Sequence, residues 1–449
     1  MTNLFQPQID LVEALETVRS EGEVSQVVGL VAECRGLAAP VGAVCRIDAR
    51  GGARQAEVIG FRDSRAILSP FGGVLGIEAG DRVRLDSFRQ EVPVGPGLLG
   101  RVLDGWGSPV DGKGPVPVER WTDLHRGAPP ALSRSRITRP LSTGVRSIDG
   151  FSTIGRGQRM GIFAGSGVGK SVLLGMIARY TSADVSVIGL VGERGREVRE
   201  FLERDLGPEG LARSVVVIAT GDESPSLRVK AAFTATAIAE YFREQGRDVL
   251  LLMDSITRLA FAQRELGLSA GEPPATRGYP PSVFNMFPRL LERAGRNSTG
   301  SITGLYTVLV EGDDIADPIA DTVRSVLDGH VWLSRRLATR GHWPSVDVLD
   351  SVSRVMIDVT DADHQTRAAK LRELLAVYRE SEDLITVGAY VRGANPTLDL
   401  AVDMKGRIDE FLRQGIAERS TYEETTLWLA GLADEATGGG PKTERVQKR

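Results

Sequence analysis

Residues 161–171 read Gly-Ile-Phe-Ala-Gly-Ser-Gly-Val-Gly-Lys-Ser, and no other stretch constrains the chain so tightly. A short apolar run enters a glycine-rich loop, and a helical pattern, Ser171–Tyr180, leaves it. Ala164, Gly165, Ser166, Gly167, Val168, Gly169, Lys170 and Ser171 fit the spacing of a phosphate-binding loop, with Ala164 where the strict pattern has glycine. Gly165, Gly167 and Gly169 let backbone N–H groups turn inward around a polyphosphate. The helix beginning near Lys170 points the positive end of its dipole at the same anion. Lys170 can then reach the β- and γ-phosphates, and the Ser171 hydroxyl can ligate Mg²⁺. A plain glycine turn with a surface lysine is the competing reading, and the strand–loop–helix context disfavours it.

The surroundings agree with a nucleotide-binding α/β core. After residue 155, apolar runs at Met160–Phe163, Val185–Leu190, Val215–Ala219, Val249–Met253 and Leu305–Val310 alternate with helical patterns at Ser171–Tyr180, Arg196–Leu206 and Ser226–Arg243. That alternation predicts βαβ units on a parallel sheet. Asp248–Asp254 is an apolar strand ending in a carboxylate, which places Asp254 near a phosphate-bound Mg²⁺; a helix-capping aspartate is its plainer alternative.

Elsewhere the pattern changes. Over 24–94, runs at Val27–Val31, Val41–Ile47, Ala56–Gly60, Ala66–Leu68 and Val92–Val94 alternate with turns, which predicts a small β-barrel. Residues 95–140 are rich in glycine and proline and read as linker-like. Residues 376–437 read as helical, and 438–449 as a disordered tail. Residues 1–23 hold an amphipathic helix pattern, suited either to packing on its own domain or to docking a partner. The expected division is thus 1–23, 24–94, 95–375, 376–437 and 438–449.

Composition removes several classes. With 55 basic and 59 acidic residues the net charge is −4, and the barrel zone has few aromatics, so nucleic acid is not an expected partner. Two cysteines, Cys34 and Cys45, exclude a disulfide framework. Four scattered histidines show no zinc-protease spacing. No run approaches a membrane span and residues 1–20 lack the basic start of a signal peptide, so a soluble, cytosolic protein is expected.

Three further segments carry a resemblance. Gly192-Glu-Arg-Gly-Arg-Glu197, Asp254-Ser-Ile-Thr-Arg-Leu-Ala-Phe-Ala-Gln-Arg-Glu265 and Pro344-Ser-Val-Asp-Val-Leu-Asp-Ser-Val-Ser-Arg354 are similar to segments of the ATP synthase β-subunit superfamily. Gly271-Glu-Pro-Pro-Ala-Thr-Arg-Gly-Tyr-Pro-Pro-Ser-Val-Phe284 and Gly388-Ala-Tyr-Val-Arg-Gly-Ala-Asn-Pro396 narrow the likeness to the type III export ATPases, flagellar more than injectisome, over about residues 24–435. The resemblance implies a RecA-like phosphate-loop core with a parallel sheet, an N-terminal β-barrel and a C-terminal helical domain. It implies a homohexamer that hydrolyses ATP with Mg²⁺.

Glu193 matches the residue that polarises the attacking water, with a helix N-terminal acid as the alternative. Arg194 matches a γ-phosphate contact or is a surface ion pair. Arg354 matches an arginine finger reaching a neighbour's nucleotide or is an intrachain salt bridge. Trp343, where the family usually has tyrosine, and Tyr422 match the two adenine walls, with a plain core aromatic the competing reading for each. The implied partners are a regulatory stator-like protein at the N-terminal helix, a central stalk in the pore, export chaperone–substrate complexes and an export gate at the membrane. The implied location is cytoplasmic, peripheral at the inner face of the cytoplasmic membrane. Gly267–Tyr279 is the candidate pore-facing loop. A rotary ATP synthase subunit and an RNA-translocating ring are the rival readings.

Overall fold

The computed structural model describes residues 20–310 and 317–437. The expected N-terminal helix up to residue 19 and the tail from 438 lie outside the described residues.

Six antiparallel strands close on themselves in the order β1-β2-β5-β4-β3-β6. They are β1 (Glu21–Val28), β2 (Val31–Arg35), β3 (Val44–Ala49), β4 (Gly52–Arg62), β5 (Arg65–Pro70) and β6 (Arg82–Ser87). Alternating small and branched side chains, among them Ala32, Cys34, Cys45, Ile47, Ala56, Val58, Leu68 and Val83, fill the interior, and closure leaves no free sheet edge. Two barrel expectations need correction. The run Val27–Val31 is not one strand, because Gly29 takes a positive φ of 58° and turns the chain between β1 and β2. Val92–Val94 does not join the barrel: Glu91–Val94 pairs with Arg120–Asp123 instead.

The core is a nine-stranded sheet. Its main path runs Val346–Ser353, Gly329–Leu333, Arg159–Ala164, Ser301–Leu309, Asp248–Asp254, Val185–Val191, Ser214–Ala219 and Arg101–Leu103. Neighbours along that path are parallel except at one edge, where Val346–Ser353 runs antiparallel to Gly329–Leu333; short Gly295–Arg296 also pairs antiparallel to Ser301–Leu309. The sheet is therefore mixed rather than wholly parallel. Residues 95–140 are more than a linker, since Arg101–Leu103 forms the other edge and Arg101 is held by Asp111 at 2.7 Å.

Both faces are covered. Along Val185–Val191, Ile188 and Leu190 enter one apolar cluster while Val185, Val187 and Val191 enter the other, the period of two that a buried strand requires. The helix Lys170–Tyr180 lies on the first face together with three C-terminal helices, Ala362–Thr386, Pro396–Leu412 and Tyr422–Ala436. The expected 375/376 boundary falls inside the first of these helices. The second face carries Pro225–Glu244, Ile256–Ala270, Pro281–Leu291 and Pro318–Val326. The loop expected to face a pore opens at the end of Ile256–Ala270, where Gly271 caps that helix with φ 93°.

Candidate active site

Parallel strands bring their carboxyl ends to one edge of the sheet, and that edge is where the expected residues meet. Ala164, Val191, Asp254 and Leu309 are the last residues of four adjacent strands. The phosphate loop leaves the first of them. Gly167 and Gly169 have φ of 77° and 85°, a region that glycine enters without strain. A Cβ at Gly167 would meet nothing within 4 Å, whereas one at Gly169 would lie 2.7 Å from the Trp343 ring. Ser345 Oγ donates to the Val168 carbonyl at 2.6 Å and fixes the loop from the side. Gly169 supplies no side-chain cap, so the first-turn amides of Lys170–Tyr180 are free to bind an anion.

The charged groups form one cluster. Lys170 Nζ donates to Asp254 Oδ1 and stands 3.6 Å from Glu193 Oε1. Thr307 Oγ donates to the same Asp254 oxygen at 2.8 Å. Arg258 closes the far side: its guanidinium lies 3.3 Å from Glu193 Oε2 and donates to the Gly192 carbonyl. Glu193 is buried, and among the described residues no hydrogen-bond donor reaches its Oε1. Burial, and then the charge of Asp254, push its carboxyl up to about 7, against the pull of Lys170 and Arg258. An unsatisfied, weakly acidic carboxylate facing a phosphate loop is equipped to accept a proton or a hydrogen bond from water.

The donor set fits Mg²⁺ as a partial shell, completed from outside the protein. Among the described residues no three His, Cys, Asp or Glu side chains could hold a metal by themselves. Ser171 and Asp254 offer hard oxygen donors, and an octahedral Mg²⁺ would complete its shell with phosphate oxygens and water.

Other expected residues lie elsewhere. Arg194 is exposed and pairs with Glu197 at 3.3 Å, the surface ion pair rather than a member of the cluster. Arg354 follows the antiparallel edge strand, and its N–H donates to the Asp328 carbonyl at 2.9 Å. Asp328 in turn holds Arg159, the first residue of the strand whose last residue opens the phosphate loop. Arg354 thus stands roughly 17 Å from its own loop along that strand. It is exposed, with no side-chain partner among the described residues.

Trp343 is half-exposed with its ring beside Gly169, and its carbonyl accepts from the Gln414 N–H at 2.9 Å. Tyr422 is not its opposite wall. It stacks on His364, with ring centroids 6.1 Å apart, and shares a cleft with Tyr180, the last residue of the helix whose first turn faces Trp343. That 11-residue helix is roughly 16 Å long, which separates the two aromatics.

Arg258 and Thr307 are the side chains in contact with the cluster that sequence patterns did not single out. Arg258 lies inside a quoted segment but at no spacing that announces a role. Thr307 is one hydroxyl in an apolar strand.

Comparisons with known proteins cover nearly the whole chain. The model for the nucleotide-binding domain of the ATP synthase alpha/beta family matches residues 144–353, and the beta-barrel domain model of the same family matches 24–85. The model for the T3SS EscN ATPase C-terminal domain matches 360–431. A flagellum-specific ATP synthase of Bacillus subtilis is 50% identical over 434 residues, 95% of this chain and 98% of its own. A type 3 secretion system ATPase of Xanthomonas euvesicatoria is 52% identical over 420 residues, 93% of this chain and 95% of its own. The solved structure of the assembled ATPase EscN from the enteropathogenic E. coli type III secretion system superposes with a TM-score of 0.86 at 44% identity, covering 92% of this chain and 100% of that one. EscN has also been solved in complex with its central stalk EscO, with a TM-score of 0.85.

Proposed function

The chain belongs to the ATP synthase alpha/beta family, in the branch of the flagellum-specific and type III secretion ATPases; from that premise we propose that it hydrolyses Mg-ATP as a homohexameric ring and energises protein export through a flagellar type III apparatus. The observation that carries the reading is the cluster of Lys170, Glu193, Asp254 and Arg258 at the carboxyl edge of the sheet, with no hydrogen-bond donor on Glu193 Oε1 among the described residues.

Gly165–Ser171 hold the triphosphate through backbone N–H groups, and Lys170 leaves Asp254 to meet the β- and γ-phosphates. Ser171 and Asp254 would hold Mg²⁺, which would supply charge to neutralise the phosphate oxygens. Glu193 Oε1 accepts a hydrogen bond from a water and aims it in line at the γ-phosphorus, while Arg258 keeps the carboxylate in place. Arg354 cannot serve its own site and completes a neighbour's. Trp343 stacks on the base.

The central stalk bound by EscN supports a stalk protein as partner in the ring pore, beside the loop Gly267–Tyr279. Export chaperone–substrate complexes, an export gate and a regulatory protein at residues 1–23 complete the proposed setting. That setting is cytoplasmic and peripheral at the inner face of the cytoplasmic membrane. No helix of the described residues is long and apolar enough to cross a membrane.

Glu193→Gln tests the reading directly. The amide keeps the shape but loses the charge, so ATP affinity should stay within about threefold while turnover falls by at least 10², the usual size of a general-base contribution. ATP binding by calorimetry and phosphate release measured on the same preparation decide it, and near-parental turnover would remove Glu193 from the mechanism. Deleting the gene separates the flagellar branch from the injectisome branch: loss of motility and of hook-protein export supports the first.

A further inference from the structure

Thr307 is buried on the strand Ser301–Leu309, where its neighbours on the same strand, Tyr306 and Val308, pack into the apolar core. A hydroxyl there needs a reason. Its oxygen lies 2.8 Å from Asp254 Oδ1 and 3.2 Å from the Met253 carbonyl, and one hydroxyl proton can go to only one of them. The shorter, charged acceptor takes it, since a hydrogen bond to a carboxylate is the stronger.

Asp254 therefore has two side-chain donors on the same oxygen, Lys170 and Thr307. They differ in one respect. Lys170 sits on a long, flexible stem and is the residue that must turn to phosphate. Thr307 is β-branched, stiff at its first torsion, and held in the middle of the sheet between Asp248–Asp254 and Arg159–Ala164. When Lys170 leaves, Thr307 is the side-chain donor that stays. Because both donors use Oδ1, the bond from Thr307 also fixes the carboxylate's rotation and leaves Oδ2 for another partner.

We propose that Thr307 is a positioning residue for the metal half of the site: it holds the Asp254 carboxylate aimed toward the phosphate loop while Lys170 exchanges its partner from Asp254 to the nucleotide. The inference rests on the reading of Lys170 and Asp254 given above. It adds that the Mg²⁺ affinity of the loaded site, rather than nucleotide affinity, depends on a residue that touches neither ligand.

Thr307→Val is the test, since it keeps the volume and branching and removes only the hydroxyl. Losing a hydrogen bond to a charged group corresponds to about a tenfold weakening. The Mg²⁺ concentration for half-maximal turnover should rise about tenfold, and Mn²⁺ affinity of the ADP-loaded protein, read by electron paramagnetic resonance, should fall by the same factor. ATP affinity in EDTA should stay unchanged. Thr307→Ser, which retains the donor, should restore parental metal affinity, a rescue that a purely packing role would not give. Thr307→Ala carries the same metal readout should the valine variant fail to fold.

Asp254→Asn is the control that separates the two claims. If it leaves metal affinity unchanged, the assignment of Asp254 is wrong. If it weakens the metal while Thr307→Val and Thr307→Ala do not, Asp254 stands and the positioning role of Thr307 is overturned.

Discussion

The two ends of the core sheet differ in what they do with one cation. At the carboxyl end two cations, Lys170 and Arg258, face two buried anions, Glu193 and Asp254, and each has a partner within 3.6 Å. At the other end Arg354 is exposed and unpaired among the described residues. Burial explains the first arrangement, because an isolated charge in a cleft loses its hydration and must be balanced. Water explains how the second is tolerated, since a solvated guanidinium needs no protein partner. The contrast is what the proposal of a site shared between two chains expects. Among the described residues, each cation of the cleft already faces a buried anion. The far end has a spare cation and no phosphate loop within reach.

The largest expected effects test that division. Lys170→Ala removes the phosphate-binding cation and leaves Asp254 and Glu193 facing each other, so turnover should vanish. Arg354→Ala should bind ATP normally yet lose about 10³–10⁵ in rate, the range for arginine fingers. Mixing the two inactive variants sharpens the comparison. In mixed rings some interfaces pair a sound phosphate loop from the Arg354→Ala chain with a sound arginine from the Lys170→Ala chain, and those interfaces should recover hydrolysis. A mixture that stays inactive while mixed rings form, or a dilute monomer with full activity, would refute a finger acting between chains.

The contrast also marks what a linear reading could reach. The phosphate loop was legible because its glycines, Lys170 and Ser171 are contiguous, and because the strand and helix around it have strong periods. The place of Asp254 at the end of a strand was legible because it closes an apolar run. Thr307 was not, because its meaning comes from a strand pairing that puts Met253 opposite Tyr306, one step before Asp254 and Thr307, and no local pattern announces a pairing. Arg101–Leu103 and Val346–Ser353 were missed as sheet edges for a related reason. The first is three residues long in a glycine- and proline-rich stretch, and the second alternates too weakly to separate it from a loop. Tyr422 lands away from Trp343 because its position along the chain says nothing about which end of Lys170–Tyr180 it reaches.

The next effect is a pH profile. Glu193 accepts from water only when ionised, and burial together with Asp254 pushes its carboxyl from the ordinary value of 4.5 up to about 7. The ionised fraction of the free protein therefore falls as pH drops through 7, and kcat/KM should fall about tenfold per unit below it. Aspartate at this position would keep a carboxylate but withdraw it by one methylene, so Glu193→Asp should keep an acidic limb at a much lower rate. A rate that is flat between pH 5.5 and 8 would show that proton acceptance at Glu193 does not limit turnover. Replacing Arg354 leaves the Glu193 cluster untouched, so the acid limb should survive unchanged in slope in a slow Arg354→Lys variant.

The smallest effects concern the aromatics, and they separate two residues that looked equivalent in sequence. Trp343 has its ring beside Gly169 at the mouth of the phosphate loop, while Tyr422 packs on His364 at the opposite end of the helix. Stacking on a base is worth about 1–3 kcal/mol by alanine substitution, and it is made equally with bound substrate and transition state. Trp343→Ala should therefore raise KM for ATP about tenfold and leave kcat nearly unchanged. Tyr422→Ala removes a contact to His364 and should leave KM unchanged while lowering thermal stability. The comparison fails in either of two ways. If KM is insensitive to Trp343, the ring is packing for the loop and the base lies elsewhere. If Tyr422→Ala raises KM as much as Trp343→Ala does, the C-terminal helices must swing far enough on nucleotide binding to carry Tyr422 along the whole length of Lys170–Tyr180.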